Sequence, residues 1–330
     1  MRNKNILKTT YFLGASLCCL GLLTACSSEN PSKPSAATPP SVSSSQTPDV
    51  PNPSNEVKGS RDNTPNCLVP EAPGTVVSEN DLASIDYSNC NEGYVCVKYT
   101  GSVSKIKLRI TGPDEVVYTY DLKTNDYETF PLTAGNGSYN ISIYENVDGS
   151  NYVTAHFDVI DVNIEDELKA YLYPNQYVNF NSNSKVVKLG SELVFSANDD
   201  LEAVTAIYDY LINNITYNYE FAETSPTGYV SNVDSILESG TGICLDYAAV
   251  MCSMLRSQGI PTRLEVGYAA DAYHAWISVY LKETGWVNGV IEFTGSSWTL
   301  VDPTFGASSD EKALKKFIGD GSNYTLQKIY

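Results

Sequence analysis

The chain has 330 residues, 42% hydrophobic and 18% charged, with 24 Tyr. At about 150 residues per domain, this allows two folded units plus appendages and excludes both a bare disordered tail and a miniprotein. Against 39 acidic residues stand 21 basic ones, a net charge of -18. A nucleic-acid partner needs clustered Lys and Arg to neutralise phosphate, so this balance argues against one.

The first 25 residues have a basic start (Arg2, Lys4, Lys8), an apolar stretch from Tyr11 to Leu23 and a small-residue end. This is the layout of a secretory signal, too short to stay as a spanning helix, which needs about 20 apolar residues. Leu23-Thr24-Ala25-Cys26 resembles the bacterial lipobox, so Cys26 is expected to carry lipid and become the new N-terminus. Acyl chains, each buried CH₂ contributing about 0.8 kcal/mol, would then hold the protein at the extracytoplasmic face of a bacterial membrane. Residues 27–65 hold eight of the 16 Pro, ten Ser and no aromatic residue. Such a segment buries too little apolar area to offset its ordering entropy, and residues 26–65 read as a disordered tether.

From 66 to 188 the pattern is mostly period two. Lys105-Ile106-Lys107-Leu108-Arg109-Ile110 puts apolar side chains on one face and cations on the other, and 116–122 and 138–144 look similar. Turn signals at Gly112-Pro113-Asp114, Gly135-Asn136-Gly137 and Asp148-Gly149 separate them. Several short strands with such turns predict an antiparallel β-sandwich, for which an immunoglobulin-like arrangement is one form. Cys67, Cys90 and Cys96 fall here, an odd number; a disulfide from Cys90 to Cys96 across the intervening turn fits an exported protein, although Cys67 could pair with either. His156 has no CxxC pair nearby, so zinc is not expected, and no EF-hand loop calls for calcium. No cofactor is predicted.

From 189 to 330 the period changes. Leu201, Val204, Ile207, Tyr208 and Leu211 recur at three and four, predicting a helix that ends at Asn213-Asn214 before a strand-like Ile215-Thr216-Tyr217. A second helix is predicted from Cys244, with Tyr247, Met251, Met254 and Leu255 on one face, closed by Gly259 and Pro261. Cys244 thus opens a helix, where the dipole and free N–H groups favour negative charge. Strands are expected at 263–268, 275–281, 290–293 and 298–301, the second starting just after His274 and the last ending at Asp302. Cys, His and Asp so placed suit an imidazole-activated thiol: Cys244 attacks, His274 takes its proton, Asp302 fixes the imidazole tautomer. The Cys244 backbone N–H and one upstream donor would hold the oxyanion, with Tyr217 the candidate. Cys252 lies eight residues further along the same helix, about 12 Å of rise, too far for a disulfide, and is expected in the core.

The stretches 242–248, 255–263 and 266–268, with His274-Ala275-Trp276 and Trp298-Thr299-Leu300-Val301-Asp302-Pro303-Thr304, resemble the transglutaminase-like superfamily. The resemblance covers about residues 200–306 and implies a papain-like α+β core with Cys244, His274 and Asp302 as the catalytic set. The 28 residues between His274 and Asp302 imply an extra hairpin around Asn288-Gly289. Together these features predict a surface-anchored thiol enzyme that attacks amide carbonyls of protein, peptide or cell-wall peptide, as peptidase, amidase or transglutaminase. The alternative is a non-catalytic module using the same fold to bind peptide or wall polymer.

Overall fold

The computed structural model describes residues 57–123, 125–269, 272–288, 291–293, 298–300 and 324–330. The predicted signal segment, Cys26, most of the Ser/Pro-rich segment and Asp302 lie outside the described residues.

The chain first builds two four-stranded antiparallel sheets. One has the order β1 (Val77–Glu79), β2 (Ala83–Asp86), β3 (Tyr94–Tyr99) and β6 (Glu128–Pro131). The other runs β5 (Val117–Leu122), β4 (Ile106–Thr111), β7 (Gly137–Asp148) and β8 (Asn151–Val162). Alternation decides which face is inner: Ile106, Leu108 and Ile110 of β4 are buried beside Ile141 and Ile143 of β7, opposite Val95 and Val97 of β3. Each such side chain, fully buried, contributes about 1.5–3 kcal/mol, enough collectively to hold the predicted sandwich together. Gly149, with φ of +53°, supplies the left-handed residue that turns β7 into β8.

The bridge expected between Cys90 and Cys96 is not made. Cys67, Cys90, Cys96, Cys244 and Cys252 are all free thiols. Cys90, in a 3-10 turn, packs against the main core, whereas Cys96 sits in a separate small cluster with Tyr94 and Tyr173, its thiol 3.6 Å from the Glu71 carbonyl oxygen. The turn between them sends the two side chains into different clusters.

A helical layer follows: α1 (Lys185–Leu193), α2 (Asp200–Asn214), the short α3 (Tyr219–Thr224), α4 (Val233–Ser239) and α5 (Cys244–Ser257), with a two-strand parallel pair β9 (Thr216–Tyr217) and β10 (Thr241–Gly242). Asp199 caps α2 by accepting the Glu202 N–H, and Asn232 caps α4 by accepting that of Ser235. In α5 every residue from Asp246 to Ser257 is buried, so the helix is enclosed on all sides. On it lies an antiparallel sheet, β13 (Gly285–Asn288), β12 (Ala272–Leu281), β11 (Thr262–Ala269) and β16 (Tyr324–Ile329). β14 (Ile291–Phe293) pairs antiparallel with β15 (Trp298–Leu300). The turn from β12 into β13 falls at Lys282–Thr284, with Gly285 at φ of +82°; Gly289 of the expected Asn288-Gly289 turn lies outside the described residues.

One continuous core runs from the sandwich through α2 and α5 to the sheet. Residues 59–66 form a strap across the helices: Gly59 N–H donates to Phe195 O, Arg61 N–H to Ala197 O and Asn66 N–H to Ser257 O. Arg61 also pairs with Asp200 at 2.7 Å and donates to the Gln258 carbonyl oxygen. Among the described residues no helix is long and apolar enough to cross a membrane.

Candidate active site

Cys244 is the first residue of α5 and is half-buried. Two devices set it there. Asp246, wholly buried in the first turn, accepts the Ile243 N–H at 2.9 Å, the Ser231 hydroxyl at 2.6 Å and the Tyr229 hydroxyl at 2.8 Å, pinning the turn that delivers the cysteine. The close fit explains Gly242, where a Cβ would come within 2.8 Å of the Asp246 Cβ. The second device is the parallel pairing of Gly242 with Tyr217, reinforced by Asn218 N–H donating to Gly242 O and by the Tyr247 hydroxyl donating to Ile215 O.

That pairing places Tyr217 against Cys244. The cap residue Ile243 has no side-chain oxygen to offer the helix, and the Tyr217 hydroxyl lies within hydrogen-bond reach of both the Cys244 backbone N–H and its thiol. Burial, and next the neighbouring Cys244, push the Tyr217 phenol up to about 12, so it stays protonated and available as a donor. The phenol and the backbone N–H thus both lie beside the sulfur.

His274 stands in β12 opposite Gly267 of β11, two residues inside the strand rather than just before it. It is buried, and its ring lies 6.3 Å from that of Trp276, nearly parallel to it. The Trp276 indole donates to the buried Glu265 carboxyl at 2.7 Å, which holds this part of the strand in one orientation. Gly267 is required at the paired position because β16 passes directly over it, where a Cβ would strike the Thr325 carbonyl oxygen.

Cys244, His274 and Tyr217 all line one cleft of about 510 Å³. Five tyrosines, 177, 217, 229, 273 and 330, form much of its wall, with the loop 225–228 closing another side. Among the described lining residues there is no Lys, Arg, Asp or Glu. Tyr273 and Tyr219 are well exposed, and Tyr219 packs edge-on against Tyr217 at 4.8 Å, giving the site aromatic rings that reach solvent. Cys252, on the same helix, is fully buried, its thiol pushed up to about 12 by burial.

Sequence reasoning placed Cys244, His274 and Tyr217, which the structure brings to one cleft; Asp302 lies outside the described residues. It missed Asp246, although an acidic residue three positions into a helix is a recognisable capping signal. It also missed Tyr177 and Tyr330, for which no local pattern exists, because they reach the cleft only through the tertiary fold.

A cysteine opening a buried helix beneath an antiparallel sheet, with a strand histidine on the same cleft, is the papain-like arrangement. Residues 187–289 match the family model of the transglutaminase-like superfamily. The uncharacterized protein YebA of Bacillus subtilis is 28% identical over 148 residues, 38% of this chain and 20% of that protein. A protein-glutamine gamma-glutamyltransferase of Pseudomonas aeruginosa is 30% identical over 129 residues, 33% of this chain and 17% of its own length. The mouse kyphoscoliosis peptidase is 27% identical over 160 residues, 43% of this chain and 24% of the peptidase. The matched part thus spans about a fifth of each relative.

Proposed function

We propose that the protein is a lipid-anchored thiol enzyme that attacks amide or peptide carbonyls through an acyl-enzyme. The observation that carries this reading is the meeting of Cys244, His274 and Tyr217 on one cleft. In the forward step Cys244 Sγ bonds to the carbonyl carbon and its proton passes to the His274 imidazole, which Asp302 orients. The carbonyl π electrons move onto oxygen, where the Cys244 N–H and the Tyr217 hydroxyl receive the charge. Collapse breaks the C–N bond, the leaving amine takes the proton from His274, and a thioester remains. Water or an incoming amine then attacks the thioester, gives its proton to His274 and releases Cys244. The tyrosine-rich wall, with no Lys, Arg, Asp or Glu among its described residues, suits a neutral acyl donor, such as a carboxamide or backbone amide of a peptide or wall peptide.

The test is the iodoacetamide alkylation rate of Cys244 at pH 6, read by peptide mapping. We expect it to exceed a model thiol by at least about tenfold and to lose that advantage in His274→Ala. Equal rates in wild type and His274→Ala, neither faster than the model thiol, would leave a binding module. Anchoring is tested separately: Cys26→Ala should leave the membrane fraction or fail to be processed, and a normally processed, membrane-bound variant overturns it.

A further inference from the structure

We propose that the β-sandwich sets the depth of the acyl-donor cleft, acting on catalysis as a specificity element rather than as a spacer. The inference rests on Cys244 being the reactive thiol at that cleft. Its warrant is that one sandwich strand, β5, stands behind two separate walls.

The first wall is Tyr177 with Tyr330, whose rings lie 4.2 Å apart at the cleft. Behind them, outside the lining, are two β5 residues: Tyr118 meets Tyr330 edge-on at 5.6 Å, and Tyr120 meets Tyr330 at 6.0 Å and Tyr177 at 6.1 Å. The sandwich also holds the backbone carrying Tyr330, because the Ile329 N–H donates to the Tyr118 hydroxyl at 3.2 Å and the Thr133 hydroxyl donates to Ile329 O at 3.3 Å. Packed aromatic rings transmit a displacement because a close-packed interior has no slack to absorb it.

The second wall is the loop at 225–228. Gly228 takes φ of +81°, and a Cβ there would come within 2.5 Å of Asp121 Oδ2, so the loop rests against β5. The Asp121 carbonyl oxygen accepts Gln176 Nε2 at 2.7 Å, one residue before Tyr177, which ties this support to the first wall. Neither Tyr120 nor Asp121 lines the cleft. Any effect they have on what reaches Cys244 must pass through the walls.

The experiment compares two alkylating probes on Cys244 in the full chain at pH 8, where an unactivated thiol also reacts: iodoacetamide and the bulkier N-(2-naphthyl)iodoacetamide. Tyr120→Leu and Asp121→Ala should raise the ratio of bulky to small rates by about tenfold as the walls relax outward. Tyr120→Phe should leave the ratio at the wild-type value, since its buried hydroxyl has no hydrogen-bond partner among the described residues. Should Tyr120→Leu fail to fold, Asp121→Ala, at a half-exposed position, decides alone. A wild-type ratio in the folded variants overturns the proposal, as does an equal rise in Tyr120→Phe. If the ratio shifts while the pH 6 advantage of Cys244 is absent, the cleft inference stands and the catalytic reading falls.

Discussion

The first and last turns of α5 meet their surroundings in opposite ways. At the first turn the cap residue is apolar, the leading N–H faces a phenol hydroxyl, and the cysteine beside it is half-exposed in a cleft. At the last turn Arg256, with no measurable exposure, spends its guanidinium on three backbone carbonyls: Thr262 at 2.9 Å, Tyr173 at 2.7 Å and Tyr330 at 2.8 Å. Among the described residues no side-chain carboxylate pairs with it, and burial brings its ionisation down to about 10, still charged at neutral pH. The last turn is held by guanidinium donors spent on carbonyls within the chain, whereas the first turn leaves Cys244 and Tyr217 facing a cleft.

The comparison breaks most sharply at Arg256. Arg256→Met should cost about 3–5 kcal/mol, because three buried carbonyls lose their donor at once, and chemical denaturation measures it. At the opposite end, Asp246→Ala removes the acceptor of three hydrogen bonds and should cost about 2–3 kcal/mol. Unlike the Arg256 change it should also slow alkylation of Cys244, since the turn carrying the sulfur is released. Cys252→Ala sharpens the contrast between the two cysteines: about 1–2 kcal/mol from a small cavity, with Cys244 labelling unchanged. In wild type, Cys252 should stay unlabelled until denaturant is added.

The smallest effect is one of pH. Burial raises the Glu265 carboxyl above its ordinary value, opposed by hydrogen bonds from Ser278 and Trp276. The folded state therefore prefers the protonated form. That contribution is complete below the ordinary carboxylate range and is lost as pH rises through the raised value. Glu265→Gln, neutral throughout, should gain stability relative to wild type as pH increases from acid to neutral; parallel denaturation profiles of the two proteins would contradict this.

Where burial follows a simple period, the sequence was readable. The alternation at 105–110 became β4, the three-and-four spacing at 201–211 became α2, and the turn before Cys244 became the start of α5. Helix α1 was not read, because Gly190 interrupts its apolar pattern; the structure needs that glycine where Met254 of α5 crosses, with its Cβ 3.2 Å from where a side chain would begin. The strap at 59–66 carries no periodic signal, since backbone groups and Arg61 rather than an apolar face hold it. Strand β16 contributes Leu326, 46% exposed, and partly buried residues, a pattern too mixed to mark its place beside β11. At the site, residue types announced Cys244 and His274, but the tyrosine wall is assembled from segments far apart in the chain.

The strap has a mechanical consequence. It joins the folded body at Phe195, Ala197, Ser257 and Gln258, beside the sealed end of α5, about 20 Å of helix away from Cys244. Tension applied through the N-terminal segment enters there, and is borne by the strap's backbone hydrogen bonds and by Arg61 on Asp200. A pull on the N-terminal side of the strap is therefore taken up beside the last turn of α5, away from the cleft that Cys244 lines.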